Sequence, residues 1–292
     1  TPETVSTDYD TSDMLVFDEL SVEAVLEVVR ALRPAGVIVS MGGQTANNLV
    51  PGLAAAGVPI LGTPPDSIDR AENRGAFSAL CDQLGIAQPR WVAHGSTSDV
   101  DDVVRGVGGY PVLVRPSYVL SGAAMRIAHG PTELREYLDR AARVSPAHPV
   151  VISKFIENAR EIEFDGVAVS GKVVHWAVSE HIENAGVHSG DATLVLPPQR
   201  LYTETVRRVR RIADALAQAL KVTGPFNIQV LALENEVSVI ELNLRASRSL
   251  PFVSKVLDID LAREATRAML GAAPATAPAD PLSLDFVGVK AP

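Results

Sequence analysis

The chain has 292 residues, of which 47% are hydrophobic and 21% are charged, so it holds enough apolar material for a buried core and lacks the composition typical of disorder. Its formal net charge of −9 at pH 7 disfavours contact with nucleic-acid phosphates, and no stretch approaches the ~20 apolar residues of a membrane span, so neither partner is expected. The single Cys81 excludes an internal disulfide and favours a reducing compartment, the cytoplasm, with a mitochondrial location left open.

The first part of the chain has the pattern of an α/β domain. Apolar residues at helical spacing predict a helix over 22–32, and short apolar segments follow at 36–40 and 59–63 with a helical stretch between them. Apolar rather than alternating strands are typical of a parallel sheet that is covered on both faces. Residues 1–68 are therefore predicted to be part of a doubly wound α/β domain.

The rest of the chain mixes hairpins with helices, which is typical of an α+β domain. Helices are predicted over 71–85, from 98 onward, over 131–144 and over 203–220, and strands over 110–115, 125–128, 150–153, 161–169, 173–180, 226–233 and 237–243. An Ala- and Pro-rich stretch at 271–281 resembles a linker, and a strand at 286–290 is expected to belong to whatever follows.

The strongest chemical signal lies in the predicted hairpin over 226–243. Glu241 and Asn243 alternate and so share one face of a strand. A turn centred on Asn235 places Gln229 directly across from Glu241, with Cβ atoms ~5 Å apart. A carboxylate and two amides suit Mg²⁺, which binds one or two carboxylates together with nucleotide phosphates. The alternative is an ordinary solvated sheet face.

Positive charges lie near this hairpin and in a second loop. Arg245 and Arg248 lie just beyond the second strand, placed to hold a phosphate or a carboxylate. Arg115 ends another strand and leads into a loop with Ser121 and Gly122, whose backbone N–H groups are suited to phosphate oxygens. This loop is not a Walker motif, and a plain turn is the alternative.

The segment over residues 181–191 is dense in chemically active groups, with two His, a Glu, an Asn and an Asp. Its His spacing and the absence of nearby Cys disfavour zinc, whereas His188 is suited to contact a phosphate or a reacting group. A polar surface loop is the alternative. Arg74 and Lys154, taken alone, are expected to be solvated surface cations, and Cys81 a buried apolar residue.

Seven segments resemble the large subunit of carbamoyl phosphate synthetase, an ATP-grasp enzyme, and specifically its second, carbamate-phosphorylating half. They are PETVSTDYDTSD (2–13), GGQT (42–45), VRPSYVLSGAAM (114–125), ENAGVHSGDATLV (183–195), FNIQV (226–230), IELNLRASRS (240–249) and PFVSK (251–255). They cover nearly the whole chain in the family's order, and the wording SGAAM, TGPFN and SRSLPFVSK is similar to the eukaryotic, fused synthetases.

The resemblance implies an organisation in domains. Residues 1–68 are expected to form a pre-ATP-grasp domain that lacks its opening strand and helix, and residues 69–272 an ATP-grasp domain with a lid at about 111–155. Residues 273–292 are expected to be a linker and the start of a further segment.

The resemblance also implies a role for each matching residue. The nucleotide is expected to contact Arg74, Arg115, Ser121, Gly122, Lys154, Ile156, Glu161, Gly186, Val187, His188, Ser189, Gln229 and Glu241. Two divalent ions are expected to bind Gln229, Glu241 and Asn243, and the catalytic set is expected to be Asn243, Arg245 and Arg248. One departure stands beside this set, since Leu244 occupies a position where the family often has Pro and could shift Arg245 slightly.

The implied reaction is phosphoryl transfer from ATP to carbamate, which gives carbamoyl phosphate and ADP. It would use Mg²⁺ or Mn²⁺, with K⁺ as a further candidate ion, and would serve pyrimidine or arginine/urea biosynthesis. The expected partners are the first synthetase half and a glutamine amidotransferase domain or subunit. Alternatives are the bicarbonate-phosphorylating half, another ATP-grasp carboxylate ligase, and a non-catalytic nucleotide-binding module. The intact set of Gln229, Glu241, Asn243 and Arg245 argues against the last of these.

Overall fold

The structure is a computed structural model that describes residue 10 and residues 12–94, 100–116, 125–144, 150–185 and 191–291. Within those ranges the helices are α1 (Val22–Leu32), α2 (Gly43–Asn47), α3 (Val50–Ala55), α4 (Pro65–Glu72), α5 (Arg74–Gln83), α6 (Val100–Val107), α7 (Pro131–Val144), α8 (Thr203–Ala219), α9 (Leu250–Leu257) and α10 (Leu261–Met269). The strands are β1 (Trp91–His94), β2 (Val112–Pro116), β3 (Arg126–Ala128), β4 (Val150–Lys154), β5 (Arg160–Val169), β6 (Lys172–Asn184), β7 (Leu194–Leu196), β8 (Gly224–Leu233), β9 (Glu236–Asn243) and β10 (Gly288–Lys290).

The N-terminal part has the predicted helix but much shorter strands. Helix α1 begins at Ser21, whose side chain accepts a hydrogen bond from the Ala24 N–H. The segments at 36–40 and 59–63 pair in parallel, as expected, but only through one bridge between Val37 and Ile60. The pairing is short because a turn already begins at Ser40, and because Pro59 has no N–H to donate.

A four-stranded antiparallel sheet forms a unit with its own core. Its strand order is β1-β4-β2-β3, and helices α6 and α7 pack against it. The core is built from buried aliphatic side chains, among them Val103, Val107, Val112, Leu134 and Ile152. We call this unit the lid, because it holds the described strands of the lid predicted at about 111–155; strand β1 lies ahead of that range. Strand β1 was not predicted, because four residues give too short an alternation to detect.

A six-stranded antiparallel sheet forms the body of the molecule, with strand order β10-β7-β6-β5-β8-β9. One face packs against α8 and the N-terminal part, through a core that includes Phe164, Leu216 and Ile228. Helices α9 and α10 cover one end of the other face, next to Val167 and Ala177. The remaining part of that second face carries polar side chains and is described below.

Three local predictions need correction. The helix expected over 71–85 is two helices that meet at Asn73, which caps α5 by accepting from the Ala76 N–H. Helix α9 was missed because the segment over 251–255 was interpreted only as a motif, and no element was predicted over α10. The strand near 286–290 is present as β10, but it pairs with β7 of this sheet rather than with a following segment. Among the described helices, none has the length and apolarity that a membrane span needs.

Gly166 lies where the core leaves no room for a side chain. A Cβ added there would lie 2.7–2.9 Å from ring atoms of Phe164 and Phe226. The variant Gly166→Ala is therefore expected to lower the free energy of unfolding by about 1–3 kcal/mol, the usual cost of overpacking a core, as measured by urea titration. Gly106→Ala is the control, because Gly106 is exposed in α6 and its added Cβ would meet only Val92 at 3.7 Å, so no loss of stability is expected. Equal stability of Gly166→Ala and the wild-type protein would contradict this packing.

Candidate active site

One face of β5 carries carboxylates where the opposite face carries core residues. Glu161, Glu163 and Asp165 alternate along the strand with Ile162 and Phe164. All three carboxylates are buried, and Glu163 and Asp165 are each only 1% exposed. The neighbouring strands continue this surface, which we call the polar face, with Asn227, Gln229, Glu241 and Asn243.

The predicted pairing across the β8–β9 hairpin is confirmed. Gln229 lies opposite Glu241 in the register. The turn itself differs from the expectation, because Leu233 pairs with Glu236 and so leaves a two-residue turn rather than one centred on Asn235. If the strands paired regularly from that turn onward, Ile240 would lie opposite Gln229. A β-bulge at Ile240 supplies the missing residue and brings Glu241 back to the polar face.

The donors on this hairpin fit a divalent ion. Gln229 and Glu241 are half-buried, and no hydrogen bond joins either side chain to another described residue. The side-chain oxygen of Asn243 accepts a hydrogen bond from Arg245 at 3.1 Å and has a second lone pair. One carboxylate and two amide oxygens are hard donors that suit Mg²⁺ when phosphates complete the coordination. No cluster of three His, Cys, Asp or Glu within the described part of the chain offers another metal site.

Arg245 is held from two sides just after β9. Its Nη2 donates to Asn243 at 3.1 Å, and its Nη1 donates to the carbonyl of Ala246 at 3.3 Å. Its Nε donates at 2.9 Å to the side-chain oxygen of Gln44, in the N-terminal part. The backbone of this loop is fixed as well, because the Ala246 N–H donates to the carbonyl of Ser40 at 2.8 Å. The guanidinium therefore has one defined orientation beside the metal donors.

Arg74 lies between the hairpin and the lid. It begins α5, and its Nη1 donates at 3.3 Å to the carbonyl of Ile240 in the bulge, while its guanidinium lies 5.3 Å from the ring centre of Trp91. Burial and the charge of Arg115 lower the pKa of Arg74 to about 10, and the charge of Glu241 opposes that shift. The Nε of Arg74 is buried and has no partner among the described residues. Two positive charges that act on each other beside the candidate metal donors are suited to an anionic ligand.

The remaining predicted residues are placed less centrally. Lys154 donates through Nζ to the carbonyls of Gly109 and Tyr110, at 3.2 and 2.8 Å. This side chain therefore joins two segments within the lid. Ile156 is half-buried just after β4, and Arg248 is exposed in the loop after β9. Six further predicted residues lie outside the described part of the chain, namely Ser121, Gly122, Gly186, Val187, His188 and Ser189.

A buried pair of carboxylates on the polar face escaped the sequence analysis. Ser249 lies 2.6 Å from both Glu163 and Asp165, and the Asn227 amide donates to the same two groups at 3.2 and 3.0 Å. Ser247 donates to Asp165 as well. The alternation of acids along β5 was the available signal, but exposed polar strand faces show the same pattern.

The surroundings of Glu163 and Asp165 affect their pKa values in opposite directions. Desolvation and the charge of Glu163 raise the pKa of Asp165 to about 6. Burial opposes ionisation of Glu163 too, but hydrogen bonds with His181 and Ser249 outweigh it and lower the pKa of Glu163. Glu163 therefore carries the charge of the pair, and Asp165 keeps a proton in mildly acidic solution.

This inequality predicts how stability depends on pH. Asp165 titrates at about 6 in the folded chain and at 3.8 as a free side chain, so folding takes up a proton between those values and the wild-type protein loses stability as the pH rises through them. Asp165→Asn removes this loss. Urea unfolding at pH 4 and at pH 7.5 gives the free energy of unfolding of each protein. The value for the variant minus that for the wild type is expected to be larger at pH 7.5 than at pH 4, by up to about 3 kcal/mol. Asp69→Asn, at an exposed position of α4, is the control, and a difference independent of pH would contradict the assignment.

Comparison with known proteins identifies the family of this fold and site. The family model "Carbamoyl phosphate synthase preATP-grasp domain" matches residues 1–70, and the model "Carbamoyl-phosphate synthase L chain, ATP binding domain" matches residues 73–275. The chain belongs to the carbamoyl-phosphate synthase large-chain family. The predicted resemblance is thereby confirmed.

Individual relatives agree with this assignment. The chain is 54% identical over 291 residues to the multifunctional protein pyrABCN of Emericella nidulans, covering 100% of the chain and 13% of that protein. It is 54% identical over 269 residues to the carbamoyl phosphate synthase large chain of Hyperthermus butylicus, covering 92% of the chain and 25% of that protein. The chain thus spans 13% and 25% of the length of these two relatives, and identity does not separate the multifunctional protein from the separate large chain.

A solved structure of low identity shows the fold. The biotin carboxylase domain of 2-oxoglutarate carboxylase from Hydrogenobacter thermophilus is 17% identical, with a TM-score of 0.76 over 91% of this chain and 61% of that one. The predicted fold class, with an ATP-grasp domain and its lid, is confirmed for this family member.

Proposed function

We propose that this chain transfers the γ-phosphoryl group of ATP to carbamate, giving carbamoyl phosphate and ADP. One observation carries the proposal: the donors Gln229, Glu241 and Asn243 share the polar face with Arg245 in a member of this synthase family. A carbamate oxygen attacks the γ-phosphorus, the new O–P bond forms, and the bond to the β,γ-bridging oxygen breaks, so that ADP leaves with that electron pair. The reaction needs no side-chain nucleophile, so catalysis rests on positioning and on charge neutralisation.

The hairpin residues would hold the metal and the charged chain of phosphates. Gln229, Glu241 and Asn243 are suited to Mg²⁺, which would neutralise charge on the β- and γ-phosphates when bound. The same oxygen donors suit Mn²⁺. The Hydrogenobacter thermophilus neighbour is a complex with MgADP and bicarbonate, which agrees with a metal-nucleotide site in this fold. A role for K⁺ stays a prediction from the resemblance alone.

The arginines would each contact a different part of the anionic ligands. The charge of Arg115 in β2 acts on Arg74 at the start of α5, and two such fixed positive charges favour nucleotide phosphates. Arg245 lies next to Asn243 and would stabilise the transferred phosphoryl group. Arg248 is exposed in the same loop and would meet the carbamate end.

The other proposed contacts follow the family pattern. Lys154 ends β4 and Ile156 follows it, where the lid joins the body, and both would flank the adenine. Glu161 would bind the ribose from the polar face. We also propose that the chain works with a first synthetase half and a glutamine amidotransferase, and that it acts in the cytoplasm or in mitochondria. Relatives that are multifunctional proteins or a large chain support such partners.

The reverse reaction tests this function in the purified protein. Given carbamoyl phosphate and MgADP, the protein is expected to form ATP, measured by a luciferase assay with Glu241→Gln as the blank. ATP formation no greater than the blank, in a folded sample that binds MgADP, would identify a nucleotide-binding module instead. Bicarbonate-dependent release of ADP without ATP formation from carbamoyl phosphate would identify the bicarbonate-phosphorylating reaction.

A further inference from the structure

The N-terminal part of the chain contacts the proposed phosphoryl site through the side chain of Gln44. Gln44 lies in the first turn of α2, and its carbonyl oxygen accepts from Arg245 Nε at 2.9 Å across 201 positions of sequence. We propose that Gln44 is a positioning residue that orients Arg245 for the transferred phosphoryl group; this inference rests on the proposed function of Arg245.

The local sequence explains why Gln44 points toward Arg245. A Cβ on Gly42 would lie 2.5 Å from the Cβ of Ala46, and Gly43 adopts a φ of +70°, a conformation that favours glycine. The two glycines therefore let the chain turn sharply out of the short pairing at Val37 and start α2 at once. This sharp start presents Gln44 to the loop after β9.

Hydrogen bonds fix the orientation of the Gln44 amide. Its Nε2 donates to Asn48 at 2.9 Å and to Glu72 at 3.1 Å, which uses both amide hydrogens. Glu72 is itself held by the Asn47 amide at 2.9 Å. With both hydrogens engaged elsewhere, only the carbonyl oxygen of Gln44 is left for Arg245. The amide cannot flip without breaking three contacts.

The chemistry of Gln suits this task. A neutral amide oxygen orients the guanidinium without placing a negative charge beside it. The positive charge of Arg245 is therefore not offset by Gln44 when a phosphoryl oxygen binds. Gln44, Asn243 and the Ala246 carbonyl together engage three of the five N–H groups of Arg245, and two remain for a ligand. The expected consequence of losing Gln44 is a misaligned Arg245, which affects the reaction step more than nucleotide binding.

Gln44→Met tests the proposal, because Met has nearly the same length and no acceptor oxygen. The kcat of ATP formation from carbamoyl phosphate and MgADP is expected to fall by about tenfold to a hundredfold, with KM for MgADP unchanged. The control is Gln83→Met, the same change at an exposed position of α5, which is expected to keep full activity. In an Arg245→Lys background, Gln44→Met is expected to cause no further loss, because the group that it positions is gone.

A second readout does not depend on activity. The Arg245 Nε–H signal in nuclear magnetic resonance, assigned by its loss in Arg245→Lys, is expected to exchange slowly in wild type and faster in Gln44→Met. Unchanged exchange, an unchanged kcat, or equal losses of kcat in both backgrounds would overturn the positioning role. An inactive but folded wild-type protein would count against the proposed function instead, and the exchange rate would still decide whether Gln44 holds Arg245.

Discussion

Replacing Glu241 with Gln is expected to weaken the binding of MgATP at least about tenfold, or ~1.4 kcal/mol, in isothermal titration calorimetry. Glu241 supplies the single negative charge among the three proposed metal donors, and contacts between a charged group and its ligand contribute ~1.5–3 kcal/mol each. The substitution keeps the size of the side chain, and Glu241 forms no hydrogen bond with another described residue, so the fold is expected to stay intact.

A binding measurement without metal distinguishes this effect from a general loss of affinity for ATP. In EDTA, the affinity for ATP without metal is expected to differ little between Glu241→Gln and wild type, since the carboxylate acts through Mg²⁺. Glu236→Gln provides a matched control, because Glu236 lies on the same strand with a side chain that is 89% exposed. Equal MgATP affinities for wild type and Glu241→Gln, with circular dichroism showing a folded variant, would rule out this metal site.

The sequence was sufficient to predict the pairing of Gln229 with Glu241 across the hairpin, because this pairing is local. Gln229 and Glu241 are twelve positions apart, and their alternation with apolar neighbours specifies one face. The pairing was right although the turn was wrong. The expected turn at Asn235 and the observed two-residue turn with a bulge at Ile240 give the same partner for Gln229, and spacing alone cannot distinguish them.

Contacts between distant segments were beyond the reach of such patterns. The Gln44–Arg245 hydrogen bond and the approach of Arg74 to the Ile240 carbonyl join positions 201 and 166 residues apart. Nothing in the local sequence marks either pair, and Arg74 taken alone looks like a surface cation. Only the family resemblance pointed to Arg74, and nothing pointed to the partner of Arg245.

Burial of charge was the other feature that patterns missed. Glu163 and Asp165 alternate with apolar residues as they would on a solvated strand, yet each is 1% exposed. They are buried because Ser247 and Ser249, from the loop after β9, cap them and satisfy their oxygens. The same loop carries Arg245, so the network that hides the carboxylates also fixes the backbone beside the proposed catalytic group.

Arg245→Lys is expected to lower the kcat of ATP formation by about a hundredfold to a thousandfold while the affinity for MgADP changes little. Lys carries the same charge, but its ammonium cannot reproduce a planar group that donates to Asn243 and Gln44 at once. The loss is expected in the reaction step because Arg245 would meet the phosphoryl group in transfer, whereas Arg74 and Arg115 would hold the nucleotide.

Steady-state kinetics with MgADP and carbamoyl phosphate varied in turn make this distinction measurable. Arg263→Lys, at an exposed position of α10, is the matched control and is expected to leave both kcat and KM unchanged. A higher KM for MgADP with an unchanged kcat would place Arg245 on the nucleotide in its ground state, because an interaction made equally in the ground and transition states changes KM alone. An unchanged kcat and KM would remove Arg245 from the reaction altogether. The proposed role requires that the fall in kcat/KM for carbamoyl phosphate exceed the change in MgADP affinity, since only interactions that are stronger in the transition state accelerate the transfer.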